Sequence, residues 1–108
     1  MPIDKSQALN DLNLTEEIYD DFLSDFLIQA ESKMSSITAS LHKNDLKNAA
    51  DHAHSLKGIA GNMRLDSCFS IARDVELTLK AGETEPISKL LTDLSEAVQE
   101  VRGSIKKR

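Results

Sequence analysis

Apolar residues recur along the chain at spacings of three and four, and nowhere do Val or Ile alternate with polar residues. This is the 3.6-residue period of helices rather than the two-residue period of strands. The pattern predicts a short first helix that follows Asp4 as its N-cap, carries Ala8, Leu9 and Leu12, and breaks at residues 13–15. Thr15 caps a second helix with Glu16 and Glu17 in its first turn, where the helix dipole favours acids. Its stripe of Ile18, Tyr19, Phe22, Leu23, Phe26, Leu27, Ala30, Met34, Ile37 and Leu41 runs for about seven turns. Tyr19, Phe22 and Phe26 are expected in the core. A break at residues 43–45, with Asn44 as cap, precedes a third helix over about 45–63 that turns Leu46, Ala49, Ala53, Leu56 and Ala60 inward. A fourth starts near Asp66 as N-cap, carries Cys68, Ile71, Ala72, Val75 and Leu79, and ends with Gly82 at C′. The last opens with Pro86 at N1. Its Ile87, Leu91, Leu94, Val98, Val101 and Ile105, spaced four and three in turn, form a bundle seam. Residues 104–108 make a basic end expected to fray. The fold class expected is all-α: an antiparallel up-and-down four-helix bundle covered by a short N-terminal helix, with residues 1–108 as a single domain.

Composition narrows the partners. Thirteen Lys and Arg stand against 18 Asp and Glu, a net charge of −5 with no basic block, which argues against nucleic acid or an anionic membrane surface. With no Trp, one Tyr and three Phe, an aromatic platform for stacking bases is not expected either. No apolar run approaches 18 residues, and the first ten residues lack the basic and apolar regions of a secretory signal. Cys68 is the single cysteine, so an internal disulfide and a cysteine-built zinc site are excluded; it reads as a small core residue, and a reduced cytoplasmic setting is expected. His42 and His52 read as ordinary surface residues. A pairing of His54 with Asp51 offers two ligands, too few for a closed metal site. The expectation is therefore a monomer with no metal and no cofactor of its own.

The third helix breaks a local rule. Gly58 and Gly61 lie inside it, and each glycine costs a helix interior about 1 kcal/mol against alanine. Ala50, His54, Gly58 and Gly61 fall on one face at i−4, i, i+4 and i+7, rotated away from the inward stripe. The imidazole of His54 is then expected on a smooth outward strip that another protein can approach closely. A neutral imidazole is a competent nucleophile at pH 7. A phosphoryl group on a ring nitrogen would add roughly two negative charges, and Lys57 at i+3 stands where an ammonium can meet them. A packing reading stands beside this one: both glycines equally suit a close helix–helix approach.

The run Ala53-His54-Ser55-Leu56-Lys57-Gly58-Ile59-Ala60-Gly61-Asn62-Met63 resembles the signature of histidine-containing phosphotransfer (HPt) domains of two-component phosphorelays, A-H-x-[LI]-K-G followed by small residues, an apolar residue and Gly. The short leading helix, the spacing of Tyr19, Phe22, Leu23 and Phe26, and the helix ending at Gly82 resemble the family layout over nearly the whole chain. The resemblance implies a four-helix bundle with His54 as phosphoacceptor, Lys57 as charge partner and Gly58 as the gap beside the ring. Ala50, Gly61 and Arg64 join Gly58 as the expected docking face. The implied partner is the receiver domain of a response regulator or of a hybrid histidine kinase, with Mg²⁺ on the receiver side only. The family pattern has Gly ten residues after the His, where this chain has Arg64, so a different turn geometry is expected there, and Arg64 offers a second cation to an acidic receiver. A self-sufficient kinase would need nucleotide machinery; no glycine-rich phosphate loop is present, and the two glycines of the third helix do not make one.

Overall fold

The computed structural model describes residues 5–106. Among the described residues five helices follow one another: α1 (Lys5–Leu12), α2 (Glu16–His42), α3 (Leu46–Asn62), α4 (Asp66–Lys80) and α5 (Ile87–Ser104). Each of the four connections turns on one residue with left-handed backbone: Asn13 (φ 55°), Asn44 (φ 56°), Arg64 (φ 60°) and Gly82 (φ 78°). In each case the amide one residue further on reaches back to the helix: Leu14 to the Leu9 carbonyl, Asp45 to Ser40, Leu65 to Ala60 and Glu83 to Thr78, at 2.8–3.1 Å. These are Schellman closures, and they satisfy carbonyls that each helix end would leave bare. Glycine enters the left-handed region freely and asparagine tolerates it, whereas for other residues it costs roughly 1–2 kcal/mol. Arg64 is the one residue of the four outside that group. It adopts the glycine geometry itself, which corrects the expectation of a different turn.

The caps refine the predicted boundaries. Thr15 Oγ1 accepts from the Ile18 amide at 3.3 Å, as expected. Asp45, rather than Asn44, caps α3 by accepting from the Asn48 amide at 3.1 Å, because Asn44 is consumed by the left-handed turn. Asp66 lies in the first turn of α4 behind Leu65, which caps it without a side-chain bond. Pro86 is the N-cap of α5 rather than its N1 residue, so the helix begins one residue later than predicted. The predicted cap at Asp4 falls outside the described residues.

Helices α2, α3, α4 and α5 form a closed four-helix ring in which α3 packs on α2 and α4, and α5 on α4 and α2. The molecule measures 42 × 22 × 19 Å, its long axis set by α2, whose 27 residues span about 40 Å at 1.5 Å per residue. The larger core cluster gathers Tyr19, Leu23, Phe26, Leu56, Leu65, Cys68, Leu94, Val98 and Val101, with Ala8 of α1 packed into it as a cover. A smaller cluster at the other end joins Ile37, Ala49, Ala50, Ala53, Val75, Leu79 and Ile87. Its three α3 alanines let α3 lie close to both neighbours. Ile18 and Phe22 depart from the predicted stripe: they are 44% and 46% exposed. The centre of the stripe, from Tyr19 to Ile37, fills the space the other helices cover, and one residue to the side already faces water.

The chain ends are held rather than frayed as far as Lys106. The Lys5 ammonium lies 2.6 Å from Asp20 Oδ1 and 2.9 Å from Glu16 Oε2, and donates to the Ser104 carbonyl at 2.8 Å. The Lys106 amide donates to Asp20 Oδ2 at 3.3 Å, and its ammonium lies 2.8 Å from Glu16. Nearby, the Tyr19 hydroxyl donates to the Met63 carbonyl at 2.6 Å and ties α2 to the end of α3.

Candidate functional site

His54 stands on the exposed side of α3, and its side chain is 65% exposed. The ring is not free. Its Nδ1 lies 2.9 Å from Oε2 of Glu76 on α4. Glu76 sits at the border of the α4 stripe, one turn after Ala72 and just before Leu79, and is 3% exposed. A carboxylate so deeply covered needs partners to stay ionised. It has three: Lys57 Nζ at 2.9 Å from Oε1, Lys80 Nζ at 2.8 Å from Oε2, and the imidazole. Burial pushes the Glu76 carboxyl up, but the bonds from Lys80, Lys57 and His54 outweigh it and bring it down to about 2. The same contact with Glu76 raises Lys80.

The predicted site residues fare differently. Lys57 is where the helix period places it, one turn from His54, but its ammonium is engaged by Glu76 and reaches the ring's surroundings through that acid. Gly58 is exposed, and a Cβ there would meet nothing within 4 Å, so the helix beside the imidazole is open. Gly61 follows the packing reading: a Cβ there would lie 3.2 Å from Cδ2 of Phe69, so this glycine lets α4 approach α3. Ala50 does not belong to the docking face. It is 3% exposed, inside the smaller core cluster with Ile37 and Val75, because the ring of helices closes over that side of α3. Arg64 is exposed, donates to the Gly61 carbonyl at 3.0 Å and lies 3.9 Å from Asp11; its place is the turn beyond α3, about 15 Å along the axis from His54.

Glu76 and Lys80 escaped the sequence reading. A signal for them existed: an acid bordering the apolar stripe of α4 with a lysine at i+4. What linked them to His54 is a contact across 22 residues, which no local period encodes. Among the described residues, no three His, Cys, Asp or Glu side chains come together as a metal site. None of the described helices is long and apolar enough to cross a membrane.

Residues 21–104 match the family model of the Hpt domain, and the chain belongs to that family. Hpt domains are phosphocarrier modules, and membership supports a histidine phosphotransfer role in phosphorelays. The fold is that of histidine-containing phosphotransfer protein B (HptB) from Pseudomonas aeruginosa PAO1, known from its crystal structure: TM-score 0.81 at 23% identity, over 93% of this chain and 87% of that one. No curated protein matches the chain.

Proposed function

We propose that this chain carries a phosphoryl group on His54 between an aspartate of one receiver domain, in a sensor kinase or hybrid kinase, and the receiver of a response regulator. The observation that carries this reading is a solvent-facing imidazole beside the open backbone of Gly58, held from below by a buried acid. In-line transfer requires the ring nitrogen to come close to the aspartyl phosphate, which needs an approach clear of bulky side chains. The roughly two negative charges that arrive with the phosphoryl group meet Lys57 and Lys80, both already drawn to this spot by Glu76. The receiver supplies Mg²⁺ and its acidic pocket. The carrier brings no cofactor, acts as a monomer in the cytoplasm, and binds neither nucleic acid nor membrane.

The test is transfer from a phosphorylated receiver, with the label then challenged by acid and by base. A phosphoramidate is lost in acid and kept in base, the reverse of the lability of an acyl phosphate in base. His54→Gln abolishes labelling while the helical circular dichroism stays unchanged. Gly58→Leu fills the open strip and blocks transfer with the fold intact; transfer at the normal rate in that variant removes the steric role of Gly58. Incubation with labelled ATP alone leaves the chain unlabelled, and incorporation there would favour a kinase instead.

A further inference from the structure

We propose that Asp51 sets how far His54 is loaded: its carboxylate, one turn before the ring on the exposed side of α3, cancels the cationic surplus of the site, so that the phosphoryl group is passed on rather than stored. The assignment rests on the phosphocarrier reading and adds to it which residue fixes the balance between loading and release.

Asp51 and His54 are three residues apart on α3, and both are exposed. Residues at that spacing are neighbours on a helix surface, with Cβ atoms about 5–6 Å apart. On the other side of the ring, Lys57 and Lys80 lie 2.9 and 2.8 Å from the oxygens of Glu76. The Lys80 ammonium is raised by Glu76 first and by Asp51 as well, so it stands in the field of both acids. The charges around the ring are then Lys57 and Lys80 against Glu76 and Asp51, two of each sign. Other cations are distant or engaged: Lys47 is two turns before His54, about 10 Å along the helix, and Arg73 lies 3.7 Å from Asp74. Without Asp51 the ring would stand in a surplus of one positive charge, which would retain a phosphoryl group. With it, that surplus is spent before the group arrives.

The transfer itself leaves a net charge behind. A lone pair of the ring forms the N–P bond, the P–O bond to the receiver aspartate breaks, and its electron pair returns to that carboxylate. The ring keeps its own proton. The site gains roughly two negative charges on the phosphoryl oxygens and one positive charge on the ring, a net change of about one negative charge. At a separation of about 7 Å, one pair of like charges costs roughly two- to threefold in an equilibrium constant in water, and more at the lower dielectric of a protein surface. Asp51 shifts the balance toward the receiver by that factor.

The test reads an equilibrium rather than a rate. A phosphorylated receiver domain that loads the wild-type chain is mixed with each variant, and the label on chain and receiver is compared once transfer has levelled. The rates in the two directions also carry docking, whereas their ratio does not. Asp51→Asn raises the ratio of loaded chain to loaded receiver by about two- to threefold at 0.01 M salt, and Asp51→Lys, with twice the change in charge, raises it by about the square of that factor. Both gains vanish toward 1 M salt, as the Debye length falls from about 30 Å to about 3 Å. Glu96→Gln makes the same change in net charge on α5, which packs on α4 and α2, and leaves the ratio where it was. Circular dichroism establishes that each variant is folded. A ratio that moves in neither Asp51 variant, or that moves as far in Glu96→Gln, overturns the proposal while the carrier reading stands. A wild-type chain that no phosphorylated receiver loads overturns the carrier reading, and this one with it.

Discussion

Two acids are buried among the described residues of this small bundle, and they are used in opposite ways. Asp20, 2% exposed, is enclosed by the Lys5 ammonium and the Lys106 amide; Glu76, 3% exposed, is met by Lys57, Lys80 and an imidazole. Both satisfy the rule that a buried charge must be paired. At Asp20 the Lys5 and Lys106 partners come from the two chain ends, so the pairing fastens residues near positions 5 and 106 to the start of α2. Burial alone would lower the Lys5 ammonium, but Asp20 and Glu16 hold it raised, and Glu16 is lowered by Lys106 and Lys5 in turn. At Glu76 one partner is a group with chemistry of its own, whose far side faces water. The same electrostatic solution makes a clasp in one place and a mounted nucleophile in the other.

That contrast is breakable. The largest effect belongs to the clasp: Lys5→Met strands a covered carboxylate and costs about 3–5 kcal/mol in urea unfolding, with phosphotransfer below the melting point unchanged. A transfer defect in that variant would show that the two ends of the bundle are coupled. A smaller effect appears in acid. Glu76 titrates near 2 when folded against an ordinary 4.5, so its contribution to stability is complete above about pH 4.5 and is lost as the pH falls through about 2. Equilibrium unfolding across that window shows a shallower decline for Glu76→Gln than for the wild type. The smallest effect separates the two glycines. Gly58→Ala gains about 0.5–1 kcal/mol of helix propensity in open space. Gly61→Ala gains none, because its methyl presses on Phe69 and overpacking offsets the propensity. Thermal melts of the pair order them directly.

Much of this was legible in the chain. The helices, the Thr15 cap, the left-handed Gly82 and the exposed His54 with Lys57 and Gly58 follow from period and local geometry, which nearest neighbours in sequence control. Four features needed the packed fold. Ala50 and Gly61 share the outward face of an isolated helix, yet the neighbouring helices cover one and lean on the other. Phe22 shares an apolar stripe with Phe26 and is nonetheless left at the water's edge. Arg64 holds a turn suited to glycine because the Schellman bonds of the connection impose it. Glu76 meets His54 only once α3 and α4 are side by side. Periodicity and capping are short-range, so the order of residues determined the helices and the candidate nucleophile; which side of each helix is covered, and which acid stands under the ring, are decided by contacts between residues distant in the chain.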